Sequence, residues 1–291
     1  MNVLVLGGTR YFGVHLVTAL IKYGYEVTIA TRGKAHDSFT SQVKRKYLDR
    51  YDSDSIRNAI LGTRYDVVYD NLAYASNDVK CLMDSLECEK YVMVSSAAVY
   101  RQKKINTIES DFSPEMEKLK WCNRGDFSYD ETKRQAECAL FQKYTGQESI
   151  AVRYPFVIGE DDYTGRLLFY VEHVIKGLPM NIDNLNQKLG FIQSNEAGDF
   201  LAHLSLVKSS GPINGCSKGI ISVSEIIKYI EQKCNVRASC NSNGDVAPYN
   251  GESEYSLNTD KAGRTGYVFS CLEDWIYELL DFYIRRVKKL N

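Results

Sequence analysis

Apolar and polar positions change period several times along this chain, and each change marks an element. Val3 to Leu6 is an apolar run too short for a helix. It meets the paired glycines Gly7 and Gly8, after which Phe12, Leu16, Val17, Leu20 and Ile21 recur at helical spacing. The pattern reads strand, tight turn, helix. Gly24 stops the helix, and the β-branched stretch Glu26 to Thr31 reads as a second strand. A short strand at 45–48 follows, then a helix at 53–61 opened by the capping cluster Asp52, Ser53 and Asp54. A strand at 66–73, a helix at 76–87 and the apolar strand 91–94 complete the series. Strands separated in this way by helices predict an α/β fold, a parallel sheet covered on both faces.

Residues 101–127 break the rhythm. They are charged and aperiodic, begin with the basic run Arg101-Gln-Lys-Lys104, and read as a surface insertion or lid. Helical spacing returns at 127–144, 165–177, 195–208 and 222–233. A last amphipathic helix at 272–289 carries Trp275, Ile276, Leu279, Leu280 and Tyr283 on one side. A boundary near 155 separates a first domain, 1–155, from a smaller mixed α/β part, 156–291, some of whose segments are expected to return to the first sheet.

Composition narrows the function classes. The chain has 291 residues, 44% apolar and 25% charged, with a net charge of −1, which argues against an extended polyanion as its main partner. No run approaches about 18 apolar residues, so no membrane span is expected. The first strand begins at about residue 2, and the expectation is a cytoplasmic protein without a leader. The eight cysteines include no CxxC pair, and no Cys/His cluster has zinc-ligand spacing, so no metal site is expected. The four histidines are scattered, and the 21 tyrosines are read chiefly as packing residues.

Three stretches carry chemistry. A glycine turn before a helix lets backbone approach a phosphate, and the helix N-terminus presents N–H groups to it; yet position 10, where a GxGxxG spacing requires glycine, is Arg10. A carboxylate at the end of the second strand would select NAD through the ribose 2′-hydroxyl. Thr31 and Arg32 stand there instead, and with Arg10 they favour a 2′-phosphate, hence NADP over NAD. Tyr129 and Lys133 share a helical face one turn apart, a spacing at which an ammonium favours phenolate, and Ser96 at the end of a strand can hold a substrate oxygen beside the phenol. The carboxyl ends of the strands place Gly7, Thr31, Asp49, Leu72 and Ser96 along one edge.

Taken together, the glycine turn, Ser95-Ser-Ala-Ala-Val-Tyr100 and Tyr129-Asp-Glu-Thr-Lys133 resemble the extended short-chain dehydrogenases/reductases of the NAD-dependent epimerase/dehydratase family. Arg153-Tyr-Pro-Phe-Val-Ile-Gly159 and Phe191-Ile-Gln-Ser-Asn-Glu196 continue the match. The resemblance implies a Rossmann-type doubly wound sheet with a C-terminal substrate-binding part and a catalytic trio of Ser96, Tyr129 and Lys133. It implies a cofactor held by Gly7, Gly8, Thr9, Arg10, Tyr11, Phe12 and Gly13, by Thr31, Arg32, Asp49, Arg50, Leu72 and Ala73, and by Tyr129, Lys133, Tyr154 and Pro155. A nucleotide sugar is the substrate it implies, with Arg166 for its diphosphate and a homodimer as the assembly. The family's dehydratases carry an Asp-Glu pair after the catalytic Ser/Thr; Ala97 and Ala98 stand here, so epimerisation or carbonyl reduction fits better. A second resemblance rests on Gly7 to Gly13, Thr31-Arg-Gly-Lys34 and Asp66-Val-Val-Tyr-Asp-Asn71, which are similar to the chloroplast stem-loop-binding proteins. It implies a non-redox protein that binds or cleaves RNA. A regulatory dinucleotide sensor is the third alternative.

Overall fold

The structure, a computed structural model, describes residues 1–290. In chain order the first half runs β1 (Asn2–Leu6), α1 (Phe12–Lys22), β2 (Glu26–Thr31), β3 (Lys44–Tyr47), α2 (Ser53–Ile60), β4 (Arg64–Asp70), α3 (Ser76–Met83), β5 (Glu87–Ser96), α4 (Tyr129–Lys143) and β6 (Glu148–Tyr154). The second half holds β7 (Phe156–Ile158), α5 (Arg166–Lys176), β8 (Pro179–Asn181), β9 (Lys188–Leu189), β10 (Phe191–Gln193), α6 (Ser194–His203) and β11 (Gly211–Asn214). It ends with β12 (Ile221–Ser222), α7 (Val223–Cys234), β13 (Ser239–Cys240), β14 (Asp245–Val246), α8 (Asp260–Gly263) and α9 (Ile276–Leu290).

Seven strands form the main sheet in the order β11-β6-β5-β4-β1-β2-β3, with every neighbouring pair parallel. The chain moves outward from β1 in one direction through β3, then returns beside β1 as β4 and moves outward the other way. That reversal leaves a crevice at the carboxyl ends of β1 and β4, where doubly wound sheets hold ligands. Alternation along β1 explains the layers: Val3 and Val5 join Leu16, Val17 and Phe200 under α1 and α6, while Leu4 and Leu6 join Ile56, Leu82 and Leu140 under α2, α3 and α4. A third core, with Tyr170, Phe191, Ile226, Trp275 and Leu279, unites α5, α7 and α9. At Gly198 an added Cβ would lie 2.6 Å from Leu16 N, so this glycine lets α6 lie directly against α1.

Several boundaries move. Residues 84–87 are not the end of a helix: α3 stops at Met83, and β5 starts at Glu87 because Glu87 and Cys88 pair with Arg64 and Tyr65. Residues 71–73 leave the sheet, since Asp70 Oδ1 accepts from Leu72 N at 2.9 Å and turns the chain there. The 101–127 stretch is not a loose insertion. Thr107, Phe112 and Cys122 are buried, and Arg153, itself fully buried, donates to the carbonyls of Glu109 at 2.8 Å and Phe112 at 3.0 Å. No described helix is long and apolar enough to cross a membrane.

Candidate functional site

The turn after β1 is tight for identifiable reasons. Gly7 has φ 81°, and a Cβ on Gly13 would lie 2.3 Å from Gly7 O. A Cβ on Gly8 would lie 2.8 Å from Val17 Cγ2. Gly8 and Gly13 therefore serve the docking of α1 on β1, and neither lines the groove as a phosphate holder; Gly7, Thr9, Arg10, Tyr11 and Phe12 do line it. Tyr11, the residue before α1, sits at φ 57° and ψ −143°, a strained conformation for any side chain but glycine. Its hydroxyl is buried without a partner.

The groove begins as a cavity of about 430 Å³ across the ends of β1, β2 and β4. Thr31, Arg32, Asp49, Arg50 and Leu72 line it, as the sequence suggests, and so do Lys34, Asn71, Tyr74, Arg124 and Tyr163. Arg10, Arg32 and Lys34 are all exposed at this end, where three cations face one space. Asn71 seals the reversal point, its side-chain amide donating to Gly7 O at 3.3 Å. Two residues expected here have other work. Arg50 is only 5% exposed; its Nη2 donates to Asp70 Oδ2 at 2.5 Å, while Nε and Nη1 are buried without a hydrogen-bond partner. Ala73 is fully buried, and its carbonyl accepts from Lys133 Nζ at 2.7 Å.

Through Tyr11, Phe12, Asn71, Tyr74 and Tyr163, which line both spaces, the groove continues into a second cavity of about 300 Å³. Ser96, Tyr129, Lys133, Tyr154, Pro155 and Arg166 meet here. Ser96 ends β5, Tyr129 opens α4 and Arg166 opens α5, so three elements deliver these groups to one place. Tyr129 is 51% exposed, yet enough protein surrounds its hydroxyl for desolvation to be the leading influence, raising the phenol above its ordinary pKa. The nearby Ser96 hydroxyl and the positive charges of Arg166 and Arg124 pull the other way. Lys133, one turn away on α4, is not among the leading influences on that phenol. Its ammonium donates to Ala73 O and to Val94 O at 2.9 Å and lies 4.5 Å over the Tyr74 ring. Burial pushes Lys133 down to about 8.

Tyr154 borders the cavity but points its hydroxyl away, donating to Ala197 O at 2.7 Å. Arg166 lies 5.2 Å over the Phe156 ring and faces the same space. The basic run at 101–104 is paired off: Arg101 with Glu117, Lys104 with Asp111, and Lys103 with Glu252. Lys34 lies within the Thr31-Arg-Gly-Lys34 motif, whereas Tyr163 lies outside the motifs read from the sequence. Arg124 and Tyr74 had no signal, because their role comes from the packing of the guanidinium 3.9 Å over the ring.

Residues 3–82 match the model of the NAD dependent epimerase/dehydratase family. A chloroplast stem-loop binding protein of 41 kDa from Arabidopsis thaliana is 31% identical over 130 residues, 40% of this chain and 32% of the relative, so the match spans about a third of that protein. Among solved structures, a putative epimerase from Burkholderia cenocepacia superimposes with a TM-score of 0.78 at 18% identity, covering 99% of this chain and 98% of that one. A UDP-glucuronic acid 4-epimerase from Bacillus cereus, in complex with UDP-glucuronic acid and NAD, gives 0.75 at 18% identity over all of both chains. A Thermus thermophilus UDP-glucose 4-epimerase in complex with NAD gives 0.69 at 18%, covering 97% and 99%. These likenesses establish a Rossmann-type α/β fold.

Proposed function

We propose that this chain is a nicotinamide-dinucleotide-dependent epimerase or oxidoreductase that acts on a hydroxyl or keto group of a nucleotide sugar. The observation that carries the reading is the single groove that begins at the Gly7 turn and ends where Ser96 meets the Tyr129 phenol beside buried Lys133. The residues fit a dinucleotide. Gly7 approaches with bare backbone, the cations Arg10, Arg32 and Lys34 suit a 2′-phosphate, and the groove follows the strand ends as such ligands do. NADP is accordingly preferred over NAD, although the neighbours' complexes contain NAD.

When bound, the nicotinamide supplies a hydride acceptor and donor. The chain's own residues do the rest. Tyr129 takes the proton from the substrate hydroxyl as general base, and its raised pKa calls for the positive charge of Arg166 and Arg124 and the Ser96 hydroxyl at that moment. Ser96 orients the oxygen. Lys133 has two N–H groups on carbonyls and one left for a ligand hydroxyl. Ala97 and Ala98 follow Ser96 without the carboxylates that dehydration requires, which supports epimerisation or carbonyl reduction. Arg166 is placed to receive a diphosphate.

The test is dinucleotide binding by calorimetry followed by turnover on a panel of nucleotide sugars. Arg10→Ala and Arg32→Ala should each weaken NADP about tenfold while hardly changing NAD. Tyr129→Phe should keep dinucleotide affinity and lose about 10²- to 10⁴-fold in turnover. Failure to bind either dinucleotide sinks the reading. A second reading, RNA binding, is favoured by exposed Tyr51 and Tyr163 standing among Arg10, Arg32 and Arg124 on the same groove, since rings and guanidinium groups stack on bases. It requires a stem-loop RNA to bind with a steep salt dependence and to compete with the dinucleotide.

A further inference from the structure

The Asn71–Ala75 segment crosses the middle of the groove without helix or strand, yet every turn of it is pinned. At its start, Asp70 Oδ1 accepts from Leu72 N at 2.9 Å. At its end, Asp78 Oδ2 accepts from Tyr74 N at 2.8 Å and Ala75 N at 3.0 Å. Between these pins, the Ala73 carbonyl and the Tyr74 ring are two of the three groups against which the Lys133 ammonium rests, the third being the Val94 carbonyl of β5.

The two carboxylates are themselves tied together by Arg50. Its Nη2 donates to Asp70 Oδ2 at 2.5 Å and to the Asp78 carbonyl at 3.3 Å, and its Nε lies 3.8 Å from Asp78 Oδ1. Tyr91 adds a hydroxyl bond to Asp70 Oδ2 at 2.8 Å. Arg50, Asp70, Asp78 and Lys133 are 5%, 0%, 5% and 3% exposed. Two cations and two anions are thus largely buried around this one segment, and as ionised groups their charges cancel. Isolated charges are expensive when buried; a balanced set is more tolerable.

We propose that Asp70, Asp78 and Arg50 are positioning residues for Lys133: they form with it a buried, charge-balanced quartet that holds the Asn71–Ala75 segment as a rigid rest for the ammonium. The proposal deepens the reading above, because it supplies the means by which Lys133 is kept charged and aimed at the groove. Other charged groups face Lys133 as well. Glu137 lies one turn along α4 and pulls in the same sense as the two aspartates, but its carboxylate is engaged by Arg153 at 2.6 Å and Ser95 at 2.5 Å. Burial opposes the charged form most strongly, Asp70 and Asp78 restore it, and Arg50 acts against it.

Charge balance makes a prediction that mere packing does not, namely shifts of opposite sign from neighbouring substitutions. The experiment is an NMR titration of Lys133 in the ligand-free full chain, assigned by the loss of its signal in Lys133→Met. Asp70→Asn and Asp78→Asn leave an excess positive charge and should lower the Lys133 pKa by about one unit each, tenfold in the proton equilibrium. Arg50→Met should raise it by a similar amount. Tyr91→Phe, which removes a bond but no charge, should leave it in place, and its circular dichroism and that of the other variants reports whether each is folded. Shifts of one common sign, or none in the folded variants, overturn the proposal. Because the titration needs no substrate, the outcome stands apart from whether the chain turns over a nucleotide sugar. If it does, the pH–rate profiles of Asp78→Asn and Arg50→Met should move in opposite directions with KM little changed; a common direction would again overturn it.

Discussion

At the scale of single residues, the glycines show how one residue type does different work within one turn. Gly7 lies in the groove with a positive φ, whereas Gly13 has no room for a side chain because Gly7 O would be 2.3 Å from its Cβ. Gly13→Ala should therefore destabilise the chain by about 3 kcal/mol in urea denaturation, since the neighbour is backbone and cannot move aside cheaply. Gly146→Ala, with nothing within 4 Å of the added Cβ, is the control and should stay within about 0.5 kcal/mol of the parent. Equal losses at both positions would contradict this account of the turn. The Tyr129/Lys133 spacing was legible as a shared helical face, but its electrostatics were not. Spacing says which groups are near along a helix; it does not say that carbonyls of Ala73 and Val94 from other elements claim the ammonium.

At the scale of elements, the aperiodic 101–127 strap shows where pattern reading fails. It has no helix or strand longer than a 3-10 turn at Glu109–Asp111, so no period could reveal its burial. Its anchor is the fully buried pair Arg153 on β6 and Glu137 on α4, joined through Nη2 and Oε2 at 2.6 Å and Nε and Oε1 at 3.0 Å. Arg153 then donates to Tyr100 OH at 3.1 Å and to two strap carbonyls. Glu137→Gln removes the charge that pairs with a guanidinium out of reach of water. A loss of about 3–5 kcal/mol in unfolding free energy is expected, with protease cleavage rising within 101–127. A variant as stable and as resistant as the parent would mean that the strap is held by its apolar contacts alone.

At the scale of the whole molecule, the two halves of the chain share one sheet: β11, from residues 211–214, lies beside β6, and α6 packs on α1. Calorimetry should accordingly show one cooperative transition, and a dinucleotide at 100 times its Kd should move the whole of it, by about 2.7 kcal/mol. Two transitions, of which only one responds to ligand, would refute this coupling of the halves. The sequence by itself determined the order of the first five strands and their helices, the α/β class, the glycine turn and the two elements that carry Ser96, Tyr129 and Lys133, because periodicity and turn chemistry are local properties of neighbouring residues. The family resemblance read from those residues is the one the family model finds at 3–82, and the likeness to stem-loop-binding proteins is matched by the Arabidopsis relative. Only the tertiary structure decided that Arg50 is a buried partner of Asp70, that Gly8 packs on a helix, and that Arg124 and Tyr74 wall the groove. Burial and charge pairing depend on residues that meet across elements far apart in the chain, and no local pattern records those meetings.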